Sequence, residues 1–250
     1  MRWISSLVIA FATYSRIPMP PVEWSEENRR YALCFFPLVG LAVGAGMALW
    51  LWLCGLLHIQ GFLRGAVAAA LPILITGGIH MDGFMDTCDA MASWQPMEKR
   101  LEILKDSHIG AFAALGCGVY LLLSAGLYSE CALRDAPALA ACFLLSRAMS
   151  GYFSIALPPA RPGGMLAGFS ATAAGKTVKI TCALYFFAAA CLLIGRRAYF
   201  VLPAALGLAV YAKRFCMKYF GGITGDLAGW FLQMNELFCV SAVVLGGKLL

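Results

Sequence analysis

Between Ile79 and Ser93 the chain places Asp82, Asp86, Asp89 and Ser93 at steps of four, three and four residues. On a helix, at about 100° per residue, Asp86, Asp89 and Ser93 fall about +40°, −20° and +20° from Asp82, so all four share one stripe. Three like charges within two turns repel, and no basic residue follows before Lys99. That is unfavourable unless a cation sits among them. Oxygen donors suit a hard divalent ion, and magnesium typically takes one or two carboxylates plus substrate phosphates. The chemistry implied is metal-assisted transfer at phosphorus. A solvated acidic helix face is the plainer alternative. It fits less well because the run abuts an apolar segment, where unpaired charge is costly.

Other polar groups stand around this stripe. His80 can serve as a general base, a phosphate donor or a polar residue at the membrane interface, and its position does not choose among them. Met97, Leu101, Leu104 and His108 recur at i, i+4, i+7 and i+11, which predicts an amphipathic helix on the membrane surface. Lys105, Asp106 and Ser107 then stand at the entrance of the next helix. Asp106 or Ser107 would cap it, or Lys105 would contact phosphate while Asp106 serves as metal ligand or base. Gly221-Gly222-Ile223-Thr224-Gly225-Asp226 lets a tight loop bring backbone N–H groups to an anion. Asp226 there either caps a helix or joins the carboxylates. Arg147 and Glu236 lie inside apolar segments, where such groups face the protein interior and either serve function or pair with each other. Ser93, Arg100, Ser107, Arg147 and Arg161, with Gly221, Gly222, Thr224 and Gly225, are the candidate substrate contacts.

The elements that must position these groups are membrane helices. Of the 250 residues 61% are hydrophobic and 13% charged, about half the charge of a soluble domain. Apolar segments at about 32–57, 62–79, 109–128, 136–157, 178–194, 199–217 and 227–246 predict an all-α, polytopic transmembrane bundle of about seven spans plus interfacial helices. Met1 to Ala12 reads as a retained half-buried or interfacial helix, because no small-x-small cleavage pattern follows it. Gly40 and Gly44 read as helix-packing residues. The whole chain, 1–250, reads as one integral membrane domain with catalytic segments at 80–108, 158–177 and 218–226.

If the spans alternate, these long segments share one side. Twelve of the 19 Lys and Arg fall there and five on the other side, and ten of the 13 acidic residues join them. Positive residues mark the cytoplasmic side, which predicts a multi-pass protein of the bacterial inner (cytoplasmic) membrane with its site facing the cytoplasm. The net charge of +6 is spread over short loops with no basic stripe, so nucleic acid is not an expected partner. The ten cysteines form no C-x-x-C pair and no zinc spacing; most sit in apolar runs, as small apolar residues do.

The run His80-x-Asp82-Gly83-x-x-Asp86-Thr87-x-Asp89, followed by Arg100-Leu101-Glu102-Ile103-Leu104-Lys105-Asp106-Ser107-x-Ile109-Gly110, resembles the cobalamin synthase family, the adenosylcobinamide-GDP ribazoletransferases. Arg16-Ile17-Pro18, Phe36-Pro37-Leu38-Val39-Gly40 and Gly221-Gly222-x-Thr224-Gly225-Asp226 fit in the same order. The resemblance implies cobalamin biosynthesis. Phosphoadenosylcobinamide would pass from adenosylcobinamide-GDP to a ribose hydroxyl of alpha-ribazole or its 5′-phosphate, with release of GMP. It also implies magnesium (or manganese) held with pyrophosphate by Asp82, Asp86 and Asp89. Lys105, Asp106 and Asp226 would complete the polar shell, and one Asp, or His80, would take the proton. Besides these substrates the expected partners are the lipid bilayer and, compatibly with the sequence, a second copy of the chain. Two rival readings are a CDP-alcohol phosphotransferase-like enzyme, whose Asp-x-x-Asp-Gly and Ala-Arg pattern is not matched, and an ion-coupled transporter, which would set its carboxylates near mid-membrane.

Overall fold

The computed structural model describes residues 2–161 and 165–249. Its helices are α1 Arg2–Tyr14, α2 Glu26–Arg29, α3 Ala32–Leu56, α4 Gly61–Thr76, α5 Ile79–Ala92 and α6 Met97–Ile103. Then follow α7 Ala111–Ser129, α8 Ala136–Ala156, α9 Met165–Thr172, α10 Gly175–Gly195, α11 Val201–Phe220 and α12 Gly225–Gly247. Among the described residues the extended pairing is a single parallel bridge, Pro159 to Ile223. The protein is the all-α, polytopic bundle that its apolar periodicity predicts.

Among the described residues, five segments are long and apolar enough to cross a bilayer unaided: α3, α7, Leu133–Ala156 (which contains α8), α10 and α12. The other two predicted spans take a different form. The second, expected at 62–79, ends at Thr76 after 16 residues, about 24 Å of helix. Gly77 (φ 69°) and Gly78 (φ 81°) then adopt the left-handed backbone that glycine tolerates best, and α5 leaves at 101° to α4. The sixth, expected at 199–217, is α11. Its 20 residues reach far enough, but Lys213, Arg214 and Lys218 stand exposed on its last two turns.

The bend before α5 is fixed from outside. Arg16 donates its backbone N–H to the Ile75 carbonyl at 2.7 Å. Its side chain lies against Gly77, where any Cβ would collide with it. Helix α8 is the centre of the bundle, with Leu139, Phe143 and Leu145 fully buried. Gly40 and Gly44 of α3 meet the backbone of Phe143 and Ala140 so closely that a Cβ has no room. Packing is thus what these two glycines do. Helices α7 and α10 bury least and turn Leu115, Leu122, Leu184 and Phe187 outward, as a lipid-facing surface requires.

The short connections meet at one end of the bundle. There Lys248 pairs with Glu130 at 2.9 Å and Arg196 donates to the Arg134 carbonyl at 2.7 Å. The carboxylate helix, α6, α9 and the 158–161 and 221–226 segments gather at the opposite end.

Candidate active site

Helices α5 and α12 cross at two glycines. A Cβ on Gly83 would stand 2.6 Å from the Asp226 carbonyl oxygen and 2.7 Å from its Cα; one on Gly229 would stand 3.0 Å from the His80 carbonyl oxygen. This approach brings the start of α12 against the first turn of α5. Asp82 and Asp226 consequently line one cavity of about 310 Å³.

The glycine-rich segment makes that approach by pairing with the chain after α8. Gly221 (φ 71°) ends α11 in the left-handed region, and Gly222 lies against Pro158 with no space for a side chain. Ile223 N–H donates to the Pro158 carbonyl at 2.8 Å, and Ala160 N–H donates to Ile223 at 2.9 Å. Thr224 Oγ1 caps α12 by accepting from Leu227 N–H at 3.2 Å, and it lies 3.3 Å from Asp226 Oδ2. The pairing also delivers Arg161. Its Nη1 donates to the Leu101 carbonyl at 3.0 Å, and its Nη2 stands 3.7 Å from Asp226 Oδ2. Arg161 therefore ties α6 to the carboxylates and supplies one positive charge at the cavity wall.

Asp86 lies in electrostatic range of Asp82, Asp226 and Asp89. Asp89 has a task of its own. Its two carboxylate oxygens accept from Gly110 N–H at 2.6 Å and Ala113 N–H at 2.8 Å, capping α7 from a helix 21 residues away in sequence. A Cβ on Gly110 would collide with that carboxylate. Negative charge at a helix start is favourable, so Asp89 holds α5 and α7 together. Asp82, Asp86 and Asp226 carry the remaining carboxylates of the cluster.

Among the described residues no three His, Cys, Asp or Glu side chains converge on one metal-sized point. A cation here would draw part of its coordination from elsewhere, as magnesium does when phosphate and water complete its octahedron. The donor chemistry fits: Asp82, Asp86 and Asp226 offer oxygen alone, and Arg161 balances one of their charges.

Several predicted residues lie elsewhere. Arg147 is buried at 1% exposure and ion-paired with Glu236, at 2%, with a further bond to the Phe143 carbonyl at 3.1 Å. It is not among the residues lining the cavity, and the structure chooses the pairing that the sequence leaves open. Asp106 and Ser107 do not cap α7, whose N-cap is Gly110. Asp106 instead accepts from His108 N–H at 3.0 Å and lies 2.6 Å from its ring Nδ1. These bonds hold its carboxyl below the usual carboxylate range. Lys105 and Ser107 are exposed in the same turn, and Arg100 lies over the Tyr219 ring at 5.1 Å. Ser93 donates to the Ala90 carbonyl at 2.7 Å. None of these lines the cavity. Of the glycine-loop residues, Thr224 and Gly225 line it, and so do His80 and Arg161.

Sequence reasoning missed the remaining wall: Tyr14, Phe36, Phe169, Ser150 and Ser154. Tyr14 lies just before the Arg16-Ile17-Pro18 motif, and Phe36 opens the Phe36-Pro37-Leu38-Val39-Gly40 motif. The signal was therefore present as motif, but without a chemistry to read from it.

Fold and cavity together define a multi-pass helical membrane protein with a carboxylate-bearing site at one end of its bundle. The chain belongs to the cobalamin-5-phosphate synthase family, which it matches over residues 6–244. A relative from Lachnoclostridium phytofermentans named adenosylcobinamide-GDP ribazoletransferase is 42% identical, covering 98% of this chain and 95% of its own. Relatives of the same name from Desulfitobacterium hafniense (34% identical, 95% of each chain) and Clostridium botulinum (31%, 92% and 93%) also match. No solved structure matches the chain.

Proposed function

We propose that this protein catalyses the adenosylcobinamide-GDP ribazoletransferase reaction, the closing step of cobalamin synthesis, at the cytoplasmic end of its bundle. The observation that carries the site assignment is the α5–α12 crossing at Gly83 and Gly229. It puts Asp82 and Asp226 on one cavity with Arg161 alongside. Membership of the family and relatives of one name over nearly the full chain support the reaction.

A ribose hydroxyl of alpha-ribazole, or of its 5′-phosphate, attacks the phosphorus on the cobinamide side of the pyrophosphate. The new P–O bond forms as the bond to GMP breaks. The hydroxyl proton passes to a carboxylate at the cavity wall, Asp82 or Asp226. Arg161 offers a fixed positive charge to the phosphate oxygens. Magnesium, held by one or two carboxylates of the Asp82, Asp86 and Asp226 cluster with substrate phosphate and water, would neutralise developing charge on phosphorus-bound oxygen. Everything else asked of the protein is positioning, which suits a site mounted on two close-packed helices.

The sidedness follows from charge: the end of the bundle that carries the site also carries most of the Lys and Arg. The test is turnover by the purified chain in lipid with the GDP-activated corrinoid, the nucleoside and magnesium, following GMP and the corrinoid product. Absence of GMP from well-folded protein would remove the proposal.

A further inference from the structure

The cavity of about 310 Å³ has two unlike walls. One is polar, with Asp82, Arg161, Thr224 and Asp226; the other is aromatic, with His80, Tyr14, Phe36 and Phe169. On the aromatic side the His80 ring lies 6.0 Å from Tyr14, nearly parallel at 19°, and 5.5 Å from Phe36 at 55°. His80 is 5% exposed, and its Nε2 is closed to solvent without a hydrogen-bond partner. Buried polar atoms of this kind almost always have a partner. A partner missing within the chain, on a residue that lines a cavity, points to a ligand group that supplies it.

Size restricts which ligand. Small-molecule pockets run from about 300 to 1,000 Å³, so this cavity stands at the lower end. It has room for a nucleoside and none for a corrin macrocycle with its amide side chains. The base of alpha-ribazole is a flat fused benzene–imidazole ring, apolar except for one unsubstituted ring nitrogen that only accepts a hydrogen bond. An aromatic wall with a single buried imidazole N–H is complementary to that base.

Resting on the reaction proposed above, we infer that this cavity is the nucleoside subsite and that His80 Nε2 donates to the free ring nitrogen of the base. His80 meets the edge of the base, Tyr14 and Phe36 supply the stacking faces, and the rings adjust as the base enters, as side chains at binding sites commonly do. With its base on the aromatic wall, the nucleoside presents its ribose to Asp82 and Asp226, where the attacking hydroxyl is needed. His80 is thereby a specificity-determining residue and not the general base.

The test compares alpha-ribazole with an isosteric nucleoside in which CH replaces the free ring nitrogen, using the full chain in lipid nanodiscs with magnesium and the GDP-activated corrinoid. Wild type should show a KM about ten-fold higher for the CH analogue, the worth of one hydrogen bond, with the loss in KM and not in kcat. His80→Phe should raise the KM for alpha-ribazole by a similar factor and cease to distinguish the two nucleosides. His80→Gln, which keeps an N–H donor, should recover part of the discrimination, and the KM for the corrinoid should not move.

Equal KM for both nucleosides in wild type would overturn the inference. So would a His80→Phe enzyme that loses kcat while still discriminating. If His80→Phe fails to fold, the two nucleosides on wild type decide alone. Turnover of neither nucleoside by wild type would refute the proposed reaction. Calorimetric binding of the two free nucleosides still tests the subsite in that case, because equal Kd values would remove it and a ten-fold ratio would sustain it.

Discussion

Replacing Gly83 with alanine tests whether the α5–α12 crossing builds the site. The added methyl would lie 2.6 Å from the Asp226 carbonyl oxygen, 2.7 Å from its Cα and 3.0 Å from its carbonyl carbon. All three are backbone atoms, so no rotamer change relieves the clash. Restoring an ordinary separation of about 3.5 Å requires the two helices to part by about 0.9 Å. Overpacking of this kind costs about 1–3 kcal/mol. The larger effect is on chemistry, since a displacement near 1 Å in a positioned site costs about a hundred-fold in rate. GMP release at saturating substrates should therefore fall about a hundred-fold, with only a modest fall in melting temperature in detergent. Gly229→Ala, whose methyl would sit 3.0 Å from the His80 carbonyl oxygen, should lose less. Gly126→Ala, with nothing within 4 Å, is the control and should stay near wild type. A Gly83→Ala enzyme within about two-fold of wild type would refute the reasoning that the crossing distance sets the catalytic geometry.

Further outcomes follow from the same geometry. Asp82→Asn and Asp226→Asn should each lower kcat about a thousand-fold, the equivalent of several kcal/mol of lost charge stabilisation, while leaving the melting temperature nearly unchanged. Chelation with EDTA should abolish GMP release, and magnesium or manganese should restore it; turnover that survives exhaustive chelation would exclude a divalent ion. Arg147→Leu leaves Glu236 buried and unpaired and should cost about 3–5 kcal/mol, read as a lost or lowered thermal transition, whereas Arg147→Met combined with Glu236→Leu should regain most of it. Asp89→Ala removes the carboxylate that caps α7 and should cost about 1–2 kcal/mol. Amide exchange should rise selectively at Gly110 to Ala113, and unchanged protection there would show that the cap contributes nothing.

Much of this molecule is written in its sequence as period and composition. Long apolar runs allow only helices in lipid, because every backbone group must be satisfied within its own segment; the bundle and the approximate spans follow from that. The stripe of Asp82, Asp86 and Asp89 is likewise fixed by spacing, since 3.6 residues per turn leaves them nowhere else to point along α5. What the stripe does is another matter, because like-charged carboxylates at one spacing serve different ends according to what lies opposite. Asp82 meets the start of α12 and a cavity, while Asp89 meets two unpaired amides of α7 and becomes a cap. Arg147 and Glu236, 89 residues apart, form a pair for which no local pattern exists. Gly77, Gly83 and Gly222 read alike as small residues, yet one turns the chain, one admits a neighbouring helix and one admits the extended segment after α8. The aromatic wall of the cavity combines residues from α1, α3, α5 and α9, whose meeting is decided by long-range packing alone. Local spacing set the elements and named the carboxylates; only the contacts between distant helices decided which of them share a cavity.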